Sequence, residues 1–99
     1  MTALDVQVHI AVGDWSAHHF PGDPLVPGAV LLDEIARALR LACAGLGMLV
    51  RVDQARFLLP VRPPATLHVH AVRRGANLEF TATEVGGATP NVQGRLGFA

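Results

Sequence analysis

The sequence predicts an α+β domain in which one apolar helix packs against an antiparallel sheet. Three observations lead there: a period-two strand near the N-terminus, one run of helix formers, and four strand-like stretches divided by Pro and Gly in the second half. With 99 residues, 51% of them hydrophobic and only 16% charged, residues 1–99 read as one unit around one core. A unit of this size buries roughly two-thirds or less of its unfolded surface, so an oligomer is the expected state.

The elements follow in order. Residues 5–12 place Val6, Val8, Ile10 and Val12 on one face of a half-buried strand. Residues 13–27 hold three Pro and two Gly, a density that excludes regular helix or central strand and predicts an ordered loop. From Gly28 to Ala42 the residues are helix formers, and Leu31, Ile35, Leu39 and Ala42 recur at helical spacing. Gly45 and Gly47 mark where the chain leaves helical geometry. Strands are then expected over 49–59, 66–73, 77–85 and 91–98, with hairpin turns at 60–64, Gly75 and Gly86-Gly87. The helix has nowhere to bury its apolar stripe except under this sheet.

Charge and cysteine use exclude several functions. Eight Arg balance eight acids and there is no Lys, so the basic excess needed by a nucleic-acid partner is missing. Cys43 has no second cysteine to pair with, and the N-terminus carries no basic stretch followed by an apolar one, which predicts a reducing cytoplasm. The longest apolar run, 41–50, is about half of the roughly 20 residues that a membrane span needs.

One segment carries chemistry: His19-Phe20-Pro21-Gly22-Asp23-Pro24-Leu25-Val26-Pro27-Gly28, continuing into the helix as far as Asp33. Its Pro residues fix φ and reduce the entropy lost in ordering the loop, which suits a side chain that must be held. The helix start offers free backbone N–H groups and the positive end of a dipole to an anion such as a thioester enolate. A His and an acid complete a set for proton removal beside a carbonyl. On the residues alone His18 competes with His19, and Glu34 with Asp33; adjacent helix positions diverge by about 100°, so only one of the two acids can face a site.

HFPGDPLVPG followed by an apolar helix start resembles the active-site segment of the hot-dog-fold 3-hydroxyacyl-[acyl carrier protein] dehydratases, the FabZ and FabA families. The resemblance implies a single hot-dog domain, a curved antiparallel sheet wrapped around one central helix. In that motif the catalytic His precedes Phe and the acid lies fourteen residues later, which selects His19 and Asp33. Gly28, with Phe20, Pro21 and Gly22, is then the oxyanion and substrate-binding set. Asp in place of the FabZ Glu is similar to FabA and to the short ApeI-type dehydratases of aryl polyene pathways. Arg56-Phe57-Leu58-Leu59-Pro60-Val61-Arg62-Pro63 and Gln93-Gly94-Arg95-Leu96-Gly97-Phe98 resemble later strands of the family. The sequence departs from the FabZ pattern in lacking its N-terminal helix and strand and in placing His18 where Gly usually stands.

The implied reaction is dehydration of a carrier-linked 3-hydroxyacyl thioester to the trans-2-enoyl thioester, in fatty-acid or aryl polyene biosynthesis. It needs neither cofactor nor metal. The partners implied are acyl carrier protein and a second hot-dog subunit, as homodimer or hetero-oligomer, with His19 of one subunit meeting the acid of the other. Two further readings are an acyl thioesterase and a non-catalytic subunit that binds acyl carrier protein; FabA-like isomerisation is a variant of the first.

Elsewhere the ordinary readings lead. His68 and His70 share a strand face opposite the core and lack the further ligands that zinc prefers, and His9 is a solvated counterpart. Cys43, among Leu41, Ala42 and Leu46, reads as a small core residue rather than a nucleophile. Arg51, Arg56, Arg62, Arg73, Arg74 and Arg95 leave two readings open, a face for an acidic carrier protein or a solvated exterior.

Overall fold

A computed structural model describes residues 2–12 and 25–99. Five strands and one helix follow as β1 (Thr2–Ile10), α1 (Gly28–Ala42), β2 (Leu49–Phe57), β3 (Ala65–Arg74), β4 (Asn77–Glu84) and β5 (Val92–Phe98). The strands form one antiparallel sheet in the order β1-β3-β4-β5-β2, with α1 against one face, the expected hot-dog arrangement.

Period two decides which face is dry. On β3 the alternate residues Leu67, Val69 and Ala71 are fully buried, while His68 and His70 between them are exposed; Leu78, Phe80 and Ala82 on β4 repeat the pattern. From α1 the core receives Leu31, Ile35, Ala36 and Leu39. Burying each of the larger side chains contributes about 1.5–3 kcal/mol. Two expected core positions fall outside it. Val12 is 62% exposed because β1 ends at Ile10, whose partner Ala65 begins β3 just after Pro64, a residue with no N–H to donate. Ala42 is exposed in the last turn of α1, and Ala36 completes the stripe in its place. Cys43 is half-buried against the core.

Glycines punctuate the chain where expected. Gly45 takes φ +84 just beyond the helix, and Gly75 takes φ +62 as the first residue of the two-residue turn between β3 and β4, where a side chain would be strained. Gly47 serves close approach: its N–H donates to the Ala99 carbonyl at 2.8 Å, and a Cβ there would lie 2.7 Å from the same oxygen.

The break at 60–64 is not a hairpin. β2 pairs with β5 at one edge, whereas β3 lies between β1 and β4, so the proline-rich segment carries the chain across the sheet. Its Pro residues cannot donate to a ladder, and the N–H groups of Leu58 and Leu59 donate instead to the Asn91 carbonyl at 2.8 and 3.3 Å. Val61, 1% exposed, then packs into the core, and its carbonyl accepts the Val26 N–H at 2.9 Å. That bond ties the crossing to the residues just before α1.

Candidate functional site

The start of α1 is built as a donor site. Pro27 caps the helix without a side-chain hydrogen bond, and the first helical bond runs from the Leu31 N–H to the Pro27 carbonyl at 3.1 Å. The N–H groups of Gly28, Ala29 and Val30 therefore have no acceptor within the helix, and no acid stands in its first turn to answer the positive end of the dipole. Gly28 lies close to the ring of Phe57 from β2: a Cβ at Gly28 would stand 2.8 Å from Cζ. Phe57 is 51% exposed, so this ring stands at the surface beside the helix end.

Asp33 lies five residues on from Gly28, about 7.5 Å along the axis at 1.5 Å per residue. Its side chain is exposed, and among the described residues no ion pair joins it to Arg37, so the helix-surface alternative for this carboxylate is not realised. Glu34 is half-buried. His19, Phe20, Pro21 and Gly22, like His18, lie outside the described residues. The structure thus brings together Gly28 and Phe57 and sets the exposed Asp33 further along the same helix.

Two residues have roles that the sequence did not signal. Phe57 stood in a strand motif with nothing to connect it to Gly28. Asn91 stood only as the first residue of the expected last strand, yet it is 3% exposed and fully hydrogen-bonded.

The histidines of the outer face are partnered as well as exposed. One oxygen of Asp5, Oδ1, accepts from His68 Nε2 at 2.8 Å and from His70 Nδ1 at 2.9 Å across the β1–β3 pair. These two bonds, His68 first, hold the Asp5 carboxyl below its usual range. His9 Nδ1 meets Thr66 Oγ1 at 2.9 Å. Of the arginines, Arg51 Nε donates to Asp53 at 2.6 Å and its Nη2 to Asn77 at 2.8 Å, while Arg73 donates to the carbonyls of Gly75 and Ala44. A cleft of about 500 Å³, lined by His70, Arg56, Arg74, Glu79 and Arg95, lies on this same face. It opens away from α1 and so is separate from Gly28 and Asp33. Among the described residues no group of three or more His, Cys, Asp or Glu side chains is arranged to hold a metal ion, and no helix is long and apolar enough to cross a membrane.

The sequence model of a family described as ApeI-like, ApeI dehydratase, matches residues 3–94. The 3-hydroxyacyl-[acyl-carrier-protein] dehydratase FabZ of Deinococcus radiodurans is 33% identical over 79 residues, 70% of this chain and 54% of the relative. FabZ of Thermus thermophilus is 39% identical over 69 residues, 58% and 49% of the two chains. This chain spans about half the length of the curated relatives that it matches. Among solved structures, the dehydratase heterocomplex ApeI:P of Xenorhabdus doucetiae superposes with a TM-score of 0.77 at 23% identity, covering 98% of this chain and 87% of that one. A protein of Erwinia carotovora subsp. atroseptica superposes with a TM-score of 0.80 at 20% identity, covering 98% and 82%. These two likenesses concern the fold.

Proposed function

The chain belongs to the ApeI-like dehydratase family, and from that membership we propose that it dehydrates a 3-hydroxyacyl thioester carried on acyl carrier protein to the trans-2-enoyl thioester. The observation that carries the reading is the start of α1, where three N–H groups have no acceptor within the helix and an exposed carboxylate stands about one and a half turns further on.

In the proposed reaction the thioester carbonyl accepts the Gly28 N–H, which stabilises the negative charge that develops as the C2 proton leaves. His19, acting as general base, takes that proton. The electron pair forms the C2=C3 bond as the C3–O bond breaks, and Asp33 delivers a proton to the departing hydroxyl, which leaves as water. Phe20, Pro21 and Gly22 shape the approach. Residues 1–99 act as one domain, in the cytoplasm, and pair with a second hot-dog subunit, so that His19 works with the acid of the other subunit. The similar ApeI:P structure is that of a heterocomplex, which favours a test with a paralogous partner as well as with a homodimer.

The test is to give the purified protein a 3-hydroxyacyl thioester on acyl carrier protein and to follow mass and enoyl absorbance. Loss of one water with a rise in absorbance, abolished in His19→Ala and in Asp33→Asn, is the expected result. Release of free acid makes the protein a thioesterase instead. Binding without turnover, alone and with a paralogous subunit, makes it a non-catalytic carrier-binding subunit.

A further inference from the structure

Asn91, at the entrance to β5, is the buried polar side chain among the described residues, at 3% exposure. Each of its polar groups is used. Oδ1 accepts the Glu84 N–H at 2.8 Å, and Nδ2 donates to Glu84 Oε1 at 3.1 Å and to the Pro60 carbonyl at 3.4 Å. Its own N–H donates to the Ala82 carbonyl at 2.8 Å, and its carbonyl accepts the N–H groups of Leu58 and Leu59. The side chain thus locks residue 91 onto the end of β4, and from there its Nδ2 and its backbone carbonyl hold the crossing segment.

That segment has little packing of its own. Leu58 and Leu59 are 42% and 43% exposed and Pro60 is exposed, so hydrogen bonds rather than burial fix its path as far as Val61. The Val61 carbonyl in turn holds the Val26 N–H at 2.9 Å, two residues before Gly28. An unbroken chain of bonds runs from Asn91 through residues 58–61 to Val26 and the start of α1. A donor that stabilises developing charge must be held within about 0.5 Å and 10–20° of its working geometry.

We propose that Asn91 is a positioning residue that holds the Gly28 N–H in place by fixing the 58–61 crossing and, through it, Val26. The inference rests on the oxyanion role given to Gly28 above. It goes further in placing control of that donor outside the helix, at the entrance to β5.

The test combines amide hydrogen exchange and steady-state kinetics on the full chain, using wild type, Asn91→Ala, Asn91→Asp and Asn91→Asp with Glu84→Gln. In Asn91→Ala and Asn91→Asp the Val26 amide should exchange at least about tenfold faster than in wild type relative to Val69, kcat should fall about tenfold, and KM should move less than about threefold, the pattern of a lost transition-state interaction. Glu84→Gln returns a donor to the carboxylate introduced at position 91, and the double variant should recover part of both readouts; it also serves if Asn91→Ala fails to fold. A lowered melting temperature with Val26 exchange and kcat per folded molecule unchanged overturns the proposal, as does the absence of any recovery in the double variant. A wild type without dehydratase activity overturns the functional reading alone, and Val26 exchange then decides whether Asn91 governs the helix start.

Discussion

The Cα of Gly28 and the ring of Phe57 are in such close contact that a methyl group on Gly28 would stand 2.8 Å from Cζ and 3.0 Å from Cε1. The start of α1 and the end of β2 are therefore fitted to each other. Gly28→Ala should push the ring outward, which Phe57 can do because it is half exposed. The expected result is a loss of turnover with a small change in stability, and partial recovery when Phe57→Ala is added. A double-mutant cycle should read a coupling of about 0.5–3 kcal/mol in the activation free energy; no coupling would mean that the contact is incidental.

Asp33 gives the cleanest separation of chemistry from folding. It is exposed and unpaired with Arg37, so Asp33→Asn should leave the unfolding free energy read from urea denaturation within about 0.5 kcal/mol of wild type. Turnover should fall about 10²- to 10⁴-fold, the usual contribution of a general acid. The same loss in Glu34→Gln, with Asp33→Asn active, would move the acid by one position.

Gly94 should be intolerant for a different reason. A Cβ there would meet the Gln54 carbonyl at 2.5 Å and the Phe80 ring at 2.9 Å, and a backbone atom cannot swing aside. Gly94→Ala should cost about 1–3 kcal/mol by overpacking, read as a lower denaturation midpoint. It should loosen the β2–β5 pairing before the rest of the sheet.

Asp5 makes acid stability testable. Its carboxyl is held below the ordinary 3.8 by the bonds from His68 and His70, so its contribution is present above that value and lost as pH falls through the lower folded value. Asp5→Asn should lower the urea midpoint at pH 7, and the difference from wild type should shrink as pH falls below the ordinary carboxylate range. A difference that persists at low pH would assign the effect to packing on β1.

Much of this was legible in the sequence because periodicity and punctuation are local. The alternation around Val69 and Phe80 gave the dry face of the sheet, and the run from Gly28 gave the helix with its bounds. What failed was long-range. Nothing near Pro60 reveals that β2 will pair with β5 rather than with β3, since that choice depends on strands 30 or more residues later. Asn91 was hidden for the same reason: its partners Pro60 and Glu84 become neighbours only when the crossing is made. At the site, Gly28 and Asp33 stood out through the spacing of a motif, while Phe57 acquires meaning only from a contact between separate elements.

The strand order also bears on how the protein comes together in time. β3, β4 and β5 form a meander of sequential antiparallel neighbours, whereas β1 and β2, which precede it in the chain, attach to its two outer flanks. Local pairings close early and distant ones late, so the meander should nucleate folding while β1, α1 and β2 dock afterwards. Substitutions at Val69 or Phe80 should slow refolding, and those at Val8 or Leu39 should mainly hasten unfolding, which a chevron series would read directly. The elements that bear Gly28, Asp33 and Phe57 would then be the last to set in each newly made molecule.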